Sequence, residues 1–267
     1  MSDVFTLEQG TSAVLVSVPH AGTFIPPELA GRFVPRALAS EDSDRHLDRL
    51  YRFARDIGAG LITSRFSRYV IDLNRPPDNT PMYAGSNNTE LVPTRFFTGE
   101  PLYRAGQLPD ANEIAQRRDR YWRPYHVALK DELERLEAEH GHAIVFDGHS
   151  IRSELPWLFE GRLPDLNLGT ASGTSCAPSL RTALSRILDA QRDFTHVVDG
   201  RFKGGYITRH YGRPAQRFHA VQLEMGFVCY MDDDPPFALD DSRCARLVPT
   251  LRRLVETMVR WTPADGE

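Results

Sequence analysis

Short apolar runs that end abruptly in polar residues recur along this chain and predict buried strands. One such run, 13–19 (AVLVSVP), leads directly into His20, and another, 143–150 (AIVFDGHS), ends in an acid, a glycine, a histidine and a serine. Open α/β sheets place their sites at strand ends, so the pattern predicts His20 and His149 at one edge of a sheet. Further short strands are predicted at 60–63, 69–72, 195–198 and 219–223.

Helical periodicity appears between these runs and predicts the layers that cover the sheet. Helices are predicted over 44–57, 111–140, 178–191 and 242–261. Glu41, Asp42 and Ser43 are expected to cap the first helix, and Pro124 is expected to kink the second. Short apolar strands that alternate with helices are typical of an α/β fold, here a three-layer α/β/α arrangement around a mainly parallel, mixed central sheet.

The sequence contains none of the motifs that would assign a nucleotide or a serine nucleophile to such a sheet. There is no GxGxxG, no GxxxxGK[ST] and no GxSxG. We expect one catalytic domain over residues 1–267, with a loop-rich insertion at about 76–108 that is long enough to be a functional flap. The stretch 204–214 (GGYITRHYGRP) is predicted to be a polar loop between strands.

Composition is that of an ordinary soluble globular protein, with 41% hydrophobic and 25% charged residues. A net charge of -4 argues against a nucleic-acid partner, which calls for a basic surface. No apolar run reaches membrane-spanning length, and the N-terminal stretch lacks the pattern of a signal peptide. Cys176, Cys229 and Cys244 are widely spaced without a CxxC, which is typical of reduced thiols and predicts a cytoplasmic protein.

Four of the strand candidates end in groups that can do chemistry. His20, Asn74 with Arg75, His149 and Glu224 would meet in one cleft if their strands run parallel. Two histidines and a carboxylate, with water in the fourth position, make up a typical catalytic zinc site. The histidines are expected to be His20 and His149.

The acidic metal ligand is expected from the stretch 42–46 (DSDRH), and Asp44 is the preferred candidate. An acid at a helix start is also a common cap, so Asp42 and His46 remain alternatives to it.

Glu224 and Arg75 have roles that the residues alone leave open. Glu224 ends the apolar stretch VQLE, where burial would raise its pKa and allow it to shuttle a proton, or it pairs with an arginine. Arg75 presents a planar fork suited to a carboxylate, or it forms a salt bridge back to Asp72.

Six blocks of sequence, in order, resemble the N-formylglutamate amidohydrolases (N-formylglutamate deformylases) of histidine degradation. They are SVPHAG at 17–22, DSDRHLDRLY at 42–51, SRYVIDLNRPPD at 67–78, DGHSI at 147–151, GGYITRHYG at 204–212 and VQLEMG at 221–226. More distantly, DLNR at 72–75, HS at 149–150 and LE at 223–224 are similar to the zinc carboxypeptidases and aspartoacylases. These relatives carry an H-x-x-E motif, whereas His20 is followed by Ala21, Gly22 and Thr23, so the acidic ligand must come from elsewhere.

The resemblance implies a zinc-carboxypeptidase-like (phosphorylase/hydrolase-like) fold and a small-molecule substrate, with no nucleic-acid or membrane partner. It implies hydrolysis of N-formyl-L-glutamate to formate and L-glutamate by one Zn²⁺, or another divalent metal such as Co²⁺. In this scheme Glu224 is the general base and Arg68 is a candidate to hold the oxyanion.

Two carboxylates on that substrate call for two cationic anchors. Asn74 with Arg75 would bind one carboxylate, and Arg209, assisted by Tyr206 or His210, would bind the other. The alternatives are a related zinc deacylase or exopeptidase that acts on another N-acyl amino acid, and a non-catalytic module that binds acidic amino acids.

Overall fold

A seven-stranded mixed sheet lies at the centre of the computed structural model, which describes residues 4–82 and 87–264. The strands are β1 (Phe5–Glu8), β2 (Val14–Val18), β3 (Gly60–Ser64), β4 (Ala143–Ile151), β5 (Leu166–Gly169), β6 (His196–Val198) and β7 (Phe218–Gly226). Their order across the sheet is β1-β3-β2-β4-β7-β5-β6. The four central strands β3, β2, β4 and β7 run parallel, while β1 and β5 pair antiparallel with β3 and β7. The predicted α/β class with a mainly parallel, mixed sheet is confirmed.

Helices connect and cover these strands. The α-helices are α1 (Pro27–Ala30), α2 (Leu47–Leu50), α3 (Ala111–Arg117), α4 (Arg123–His140), α5 (Pro178–Ala190), α6 (Tyr206–Tyr211) and α7 (Asp241–Arg260). Short 3₁₀ turns span Pro35–Ala39, Arg52–Ile57, Ala171–Gly173, Pro214–Gln216 and Phe227–Cys229, and a π-helical turn spans Arg118–Trp122. Among the described residues, no helix combines the length and the apolar character needed to cross a bilayer.

Both faces of the sheet are buried, which gives the fold its three layers. Successive side chains of a strand point to opposite faces. On β2, Val16 packs into one core with Leu184 of α5 and Leu254 of α7. Its neighbour Leu15 packs into a second core with Leu129 of α4. The expectation of one catalytic domain over 1–267 remains a prediction.

The strand predicted at 69–72 is wrong. The Val70 N–H donates to the Ser67 carbonyl across 2.9 Å, which closes a turn, and the Asp72 N–H donates to the Leu91 carbonyl across 2.7 Å. Tyr69 is buried in the second core, so its apolar character serves packing without strand pairing. The segment that carries Asn74 and Arg75 therefore reaches the sheet edge as a buried turn.

The predicted helix 44–57 is only partly present, as α2 and the following 3₁₀ turn. The helix N-cap is His46, in a left-handed conformation with φ 67°, and no side chain caps it. The predicted capping role of Glu41, Asp42 and Ser43 is therefore wrong, because the chain before α2 makes a buried turn that directs these side chains elsewhere. The helix predicted over 111–140 is nearly continuous, and its π-helical turn ends at Trp122, two residues before Pro124, whose missing N–H cannot continue the normal ladder.

Two short strands, β1 and β5, and helix α6 were not predicted from the sequence. α6 occupies part of the stretch 204–214, for which a loop was expected, so that expectation is wrong. Within the predicted insertion, residues 76–82 and 87–108 contain no helix or strand and only isolated bridges such as Phe33 with Tyr103. Residues 83–86 of the insertion lie outside the described residues.

Candidate active site

His20 and His149 come together because they belong to neighbouring parallel strands. His20 follows β2 by two residues and His149 lies near the end of β4, which pairs with β2. Their ring centroids are 5.0 Å apart, and both side chains are buried. The chain therefore brings its two predicted imidazole ligands to the same edge of the sheet.

Asp44 completes this pair from the turn before α2. Its backbone N–H donates to the His20 carbonyl across 2.9 Å, which holds the turn against the end of β2. Its carboxylate Oδ2 lies 3.2 Å from His149 Nδ1 and 3.6 Å from His20 Nδ1. One donor atom from each of the three residues falls within 4.8 Å of the others.

The two alternatives to Asp44 point away from this group. The Asp42 carboxylate accepts hydrogen bonds from the Tyr69 hydroxyl at 2.8 Å and from the Phe97 N–H at 3.0 Å. The His46 ring bonds to the Phe237 carbonyl at 3.0 Å. Asp42 thus ties residues 87–108 to the site, and His46 ties α2 to a distant loop.

Each histidine is oriented by a carboxylate on the far side of its ring. His20 Nε2 lies 2.8 Å from Asp72 Oδ1, and His149 Nε2 lies 2.8 Å from Asp147 Oδ2. With a proton on each Nε2, the Nδ1 lone pairs would be available to a metal ion, the arrangement that supports most histidine metal ligands. Arg68 pairs with Asp72 across 2.6 Å.

The donor set fits a metal ion. His20 Nδ1 and Asp44 Oδ1 are buried and have no hydrogen-bond partner, an expensive state for polar atoms that a cation would relieve. Burial acts to raise the pKa of Asp44, but the neighbouring imidazoles of His149 and His20 outweigh it and lower the pKa to about 2. A carboxylate that stays ionised between two imidazoles is a ligand set that zinc prefers.

Glu224 lies beside this group in the sheet register. It is paired with His149 across β7 and β4, and its side chain lines the cavity that the two histidines line. Burial raises the pKa of Glu224 to about 8, against the effect of His149 and with the help of the Asp44 charge. Gln222 Nε2 lies 3.5 Å from Glu224 Oε2. A carboxyl group with this pKa can accept and return a proton near neutral pH.

Asn74 lines the same cavity, and its side chain holds the site together. Its Oδ1 accepts from the Ile207 N–H at 2.8 Å, which fixes the amide so that Nδ2 can donate to Asp147 Oδ2 at 3.3 Å. Only glycine fits beside it, because a Cβ on Gly205 would lie 2.3 Å from the Asn74 amide nitrogen.

Arg75 presents a guanidinium to the cavity. Its Nε donates to the Thr89 carbonyl at 3.0 Å and one terminal nitrogen donates to the Thr89 hydroxyl at 2.6 Å. Within residues 4–82 and 87–264, no carboxylate lies within ion-pair distance of it. Asp72, the partner considered from the sequence, is engaged by Arg68 and His20 instead.

Tyr206, Arg209 and His210 are not among the described residues that line this cavity. They belong to α6, where the Tyr206 and His210 rings stack with centroids 4.8 Å apart and Arg209 is exposed, with Nε donating to the Gly204 carbonyl. These side chains are therefore carried by a helix, in place of the expected loop.

Several cavity residues were not identified from the sequence. Arg68 and Glu224 were expected there and are present, but Phe97, Gln222 and Arg201 were not expected. Phe97 lies in the long irregular segment, and Arg201 follows β6 in a stretch with no periodicity. The only signal for Gln222 was its position two residues before Glu224 on the same strand, which places both side chains on one face.

A buried pair of histidines with an aspartate, next to a glutamate of raised pKa at the edge of an α/β sheet, defines an enzyme with the donor set of a metal-dependent hydrolase. Residues 12–231 match the family model of N-formylglutamate amidohydrolase. The chain therefore belongs to the N-formylglutamate amidohydrolase family, as its sequence blocks had indicated.

Relatives agree with this assignment over nearly the whole chain. The chain is 45% identical to an N-formylglutamate deformylase of Pseudomonas aeruginosa, with 98% of each chain covered. It is 43% identical to one of Pseudomonas putida, covering 98% of this chain and 97% of that one. A crystal structure of N-formylglutamate amidohydrolase from Ralstonia eutropha superimposes with a TM-score of 0.81 at 26% identity, covering 96% of this chain and 98% of the other. An Agrobacterium tumefaciens gene product shares the fold, with a TM-score of 0.71 at 17% identity and 96% and 94% of the two chains covered.

Proposed function

We propose that this enzyme hydrolyses N-formyl-L-glutamate to formate and L-glutamate, with one zinc ion held by His20, Asp44 and His149. The observation that carries the proposal is the buried His20–Asp44–His149 group, whose two histidines line the same cavity as Glu224. Membership of the family, and the activity named for relatives more than 40% identical to this chain, support the substrate.

The histidine Nδ1 atoms and the Asp44 carboxylate would hold the ion. A zinc ion there supplies Lewis acidity, which makes a water molecule more acidic and polarises a carbonyl oxygen. Asp72 and Asp147 keep the Nε2 protons on the two rings, so both Nδ1 lone pairs stay available.

Glu224 would move the proton. It takes a proton from the attacking water as the water oxygen bonds to the formyl carbon. It then delivers that proton to the glutamate nitrogen as the C–N bond breaks. Burial raises the pKa of Glu224, which favours its use as a proton carrier near neutral pH.

Two arginines would stabilise negative charge in the cavity. Arg68 is fixed by its ion pair with Asp72 and lies 4.4 Å from the centre of the Phe97 ring, so it can present its remaining donors to the oxyanion without reorganisation. Arg75 lies next to Asn74 and can bind the α-carboxylate with a planar fork.

The test combines metal analysis with formate release from N-formyl-L-glutamate. We expect about one zinc per chain, loss of activity on treatment with a chelator and recovery on addition of zinc. Glu224→Gln should reduce kcat by about 10²- to 10⁴-fold, the usual contribution of a general base, with the zinc content unchanged.

Other substrates distinguish the alternatives. Faster hydrolysis of N-acetyl-L-aspartate or N-formyl-L-aspartate would assign a different deacylase. Full activity in metal-free protein would refute the metal site. Binding of the substrate without formate release would indicate a non-catalytic module.

A further inference from the structure

Arg201 is a cationic side chain of the cavity that the proposed reaction has not used. It lines the cavity together with His149 and Glu224. One terminal nitrogen of its guanidinium donates to the Leu158 carbonyl at 3.0 Å, and the guanidinium carbon lies 5.6 Å from the centre of the Phe202 ring. A planar fork in such a position is suited to bidentate carboxylate binding.

The segment that carries Arg201 is anchored at both ends. At one end, the Asp199 carboxylate accepts from the Thr170 N–H at 2.7 Å. At the other end, the Gly205 N–H donates to the Gln222 side chain at 2.7 Å. Because Gln222 also lies beside Glu224, the position of Arg201 is linked by fixed contacts to the reacting end of the cavity.

Charge balance requires a second anchor for the proposed substrate. N-formyl-L-glutamate is a dianion at neutral pH, and the arginines among the described cavity residues are Arg68, Arg75 and Arg201. Arg68, which pairs with Asp72, is already assigned to the oxyanion in the proposed reaction. Arg75 adjoins Asn74, whose amide contacts the Asp147–His149 pair, so it lies near the metal group and the scissile amide. This assigns the α-carboxylate to Arg75 and leaves the side-chain carboxylate for Arg201.

Apolar residues lie next to Arg201 in the same cavity. Phe202 and Leu158 pack against the small cluster that contains Phe97 and Ile151, and all four line the cavity. The two methylene groups of a glutamate side chain fit such a wall, with the carboxylate at its end bound to a guanidinium.

We propose that Arg201 binds the side-chain carboxylate of N-formyl-L-glutamate and makes the enzyme selective for an acidic side chain. The inference rests on the proposed function and adds to it the residue that sets amino-acid specificity.

The test compares N-formyl-L-glutamate with N-formyl-L-glutamine, which has the same shape without the side-chain charge. Arg201→Gln should reduce kcat/KM about 100-fold for N-formyl-L-glutamate, the size expected when charge-assisted hydrogen bonds are lost. It should change kcat/KM for N-formyl-L-glutamine by less than about threefold, because that substrate has no charge to bind. Arg201→Lys, which keeps a point charge but not the fork, should fall between the wild type and Arg201→Gln.

Arg186→Gln is the matched control, because Arg186 is an exposed arginine on α5, away from the cavity. It should leave both kcat/KM values unchanged, and melting temperatures should show that all variants are folded. If Arg201→Gln reduced kcat/KM equally for both substrates, the assignment would be overturned. It would also be overturned if Arg209→Gln, and not Arg201→Gln, reduced kcat/KM for N-formyl-L-glutamate alone. A wild type that releases no formate from N-formyl-L-glutamate would refute the proposed function, whereas an active wild type with an unselective Arg201 effect would refute only this inference.

Discussion

His149 Nε2 lies 2.8 Å from Asp147 Oδ2, on the same strand and two residues away. Residues i and i+2 of a strand point to the same face, so β4 by itself carries both the proposed ligand His149 and the carboxylate beside its ring. The parallel register places Ser17 opposite Asp147, and the Ser17 hydroxyl donates to the Asp147 carboxylate at 3.2 Å. The orientation of His149 is therefore built into the pairing of β2 with β4.

Asp147→Asn should weaken zinc binding by about 10- to 100-fold, because the neutral amide no longer supports the Nε2 proton electrostatically. Competition with a metallochromic chelator measures the affinity. Asp189→Asn is the control, since Asp189 also pairs with a histidine, His196 at 3.0 Å, but on the exposed surface. If Asp147→Asn and Asp189→Asn bound zinc with the same affinity, Asp147 would not orient a metal ligand.

The choice between Asp44 and Asp42 can be made from thermal stability. An ion that binds only the folded protein stabilises it by about 2.7 kcal/mol at a hundred times its Kd, which is roughly 5–10 °C in Tm for a chain of this size. We expect zinc to raise the Tm of the wild type by this order and to have little effect on Asp44→Asn. Asp42→Asn removes a carboxylate that bonds to Tyr69 and Phe97, so its starting Tm should fall while the zinc-induced rise persists. A rise retained in Asp44→Asn and lost in Asp42→Asn would reverse the assignment of the ligand.

The residues at the sheet edge were predictable from the sequence because they follow local patterns. His20, His149 and Glu224 each end a short apolar run, and a run of that kind is a strand whenever it has a neighbour to pair with. The same rule failed at 69–72, where the residues are equally apolar but close a turn at Val70. An isolated stretch of sequence does not contain the partner strand, so the pattern alone cannot separate the two cases.

Side chains that reach the site through tertiary contacts were harder to predict. Asp44 depends on a turn that is held by the His20 carbonyl and on the left-handed backbone of His46, neither of which leaves a periodic signal. α6 was missed because its first residues follow two glycines and its sequence is largely polar, although Ile207 and Thr208 are buried. Arg201 lies before this helix, in a stretch with no periodicity, so no local pattern pointed to it.

Gly205→Ala should disturb the site through Asn74. A Cβ at this position would lie 2.3 Å from the Asn74 amide nitrogen, so either the amide or the start of α6 must move. We expect a loss of about 1–3 kcal/mol in the free energy of unfolding, typical of overpacking, together with a fall in kcat.

The control for this change is Gly31→Ala. Gly31 has φ -65°, and no neighbouring atom lies within 4 Å of the position that an alanine methyl group would take, so alanine there should be neutral or slightly stabilising. Urea unfolding and formate release measure the two effects. Wild-type stability and activity in Gly205→Ala would show that Asn74 does not need its present position.

His126 connects the helical layer to the site segment and should make stability depend on pH. Its Nε2 donates to the Leu73 carbonyl at 2.8 Å, directly before Asn74, and its Nδ1 accepts from the Tyr211 hydroxyl at 3.0 Å. Burial lowers the pKa of His126 from 6.5 to about 3, and the bond to Leu73 only partly opposes this effect. The folded protein therefore keeps His126 neutral where the unfolded chain would protonate it.

The sign of the effect follows from proton uptake. Below about pH 6.5 the unfolded chain binds a proton at His126 that the folded protein does not bind. The free energy of unfolding is therefore unaffected by protonation of His126 above pH 6.5 and decreases as the pH falls from 6.5 toward 3. Between pH 7 and pH 5 the loss is about 2 kcal/mol. His126→Gln does not titrate, so the stability advantage of the wild type over this variant should shrink by that amount across the same range. Urea unfolding of the metal-free proteins at pH 7, 6 and 5 gives the free energy of unfolding of the wild type and of His126→Gln. Because the other titrating groups are the same in both proteins, their effects cancel in the difference between these two free energies. If the difference in free energy of unfolding between the two proteins stayed constant with pH, His126 would not be held neutral in the folded protein.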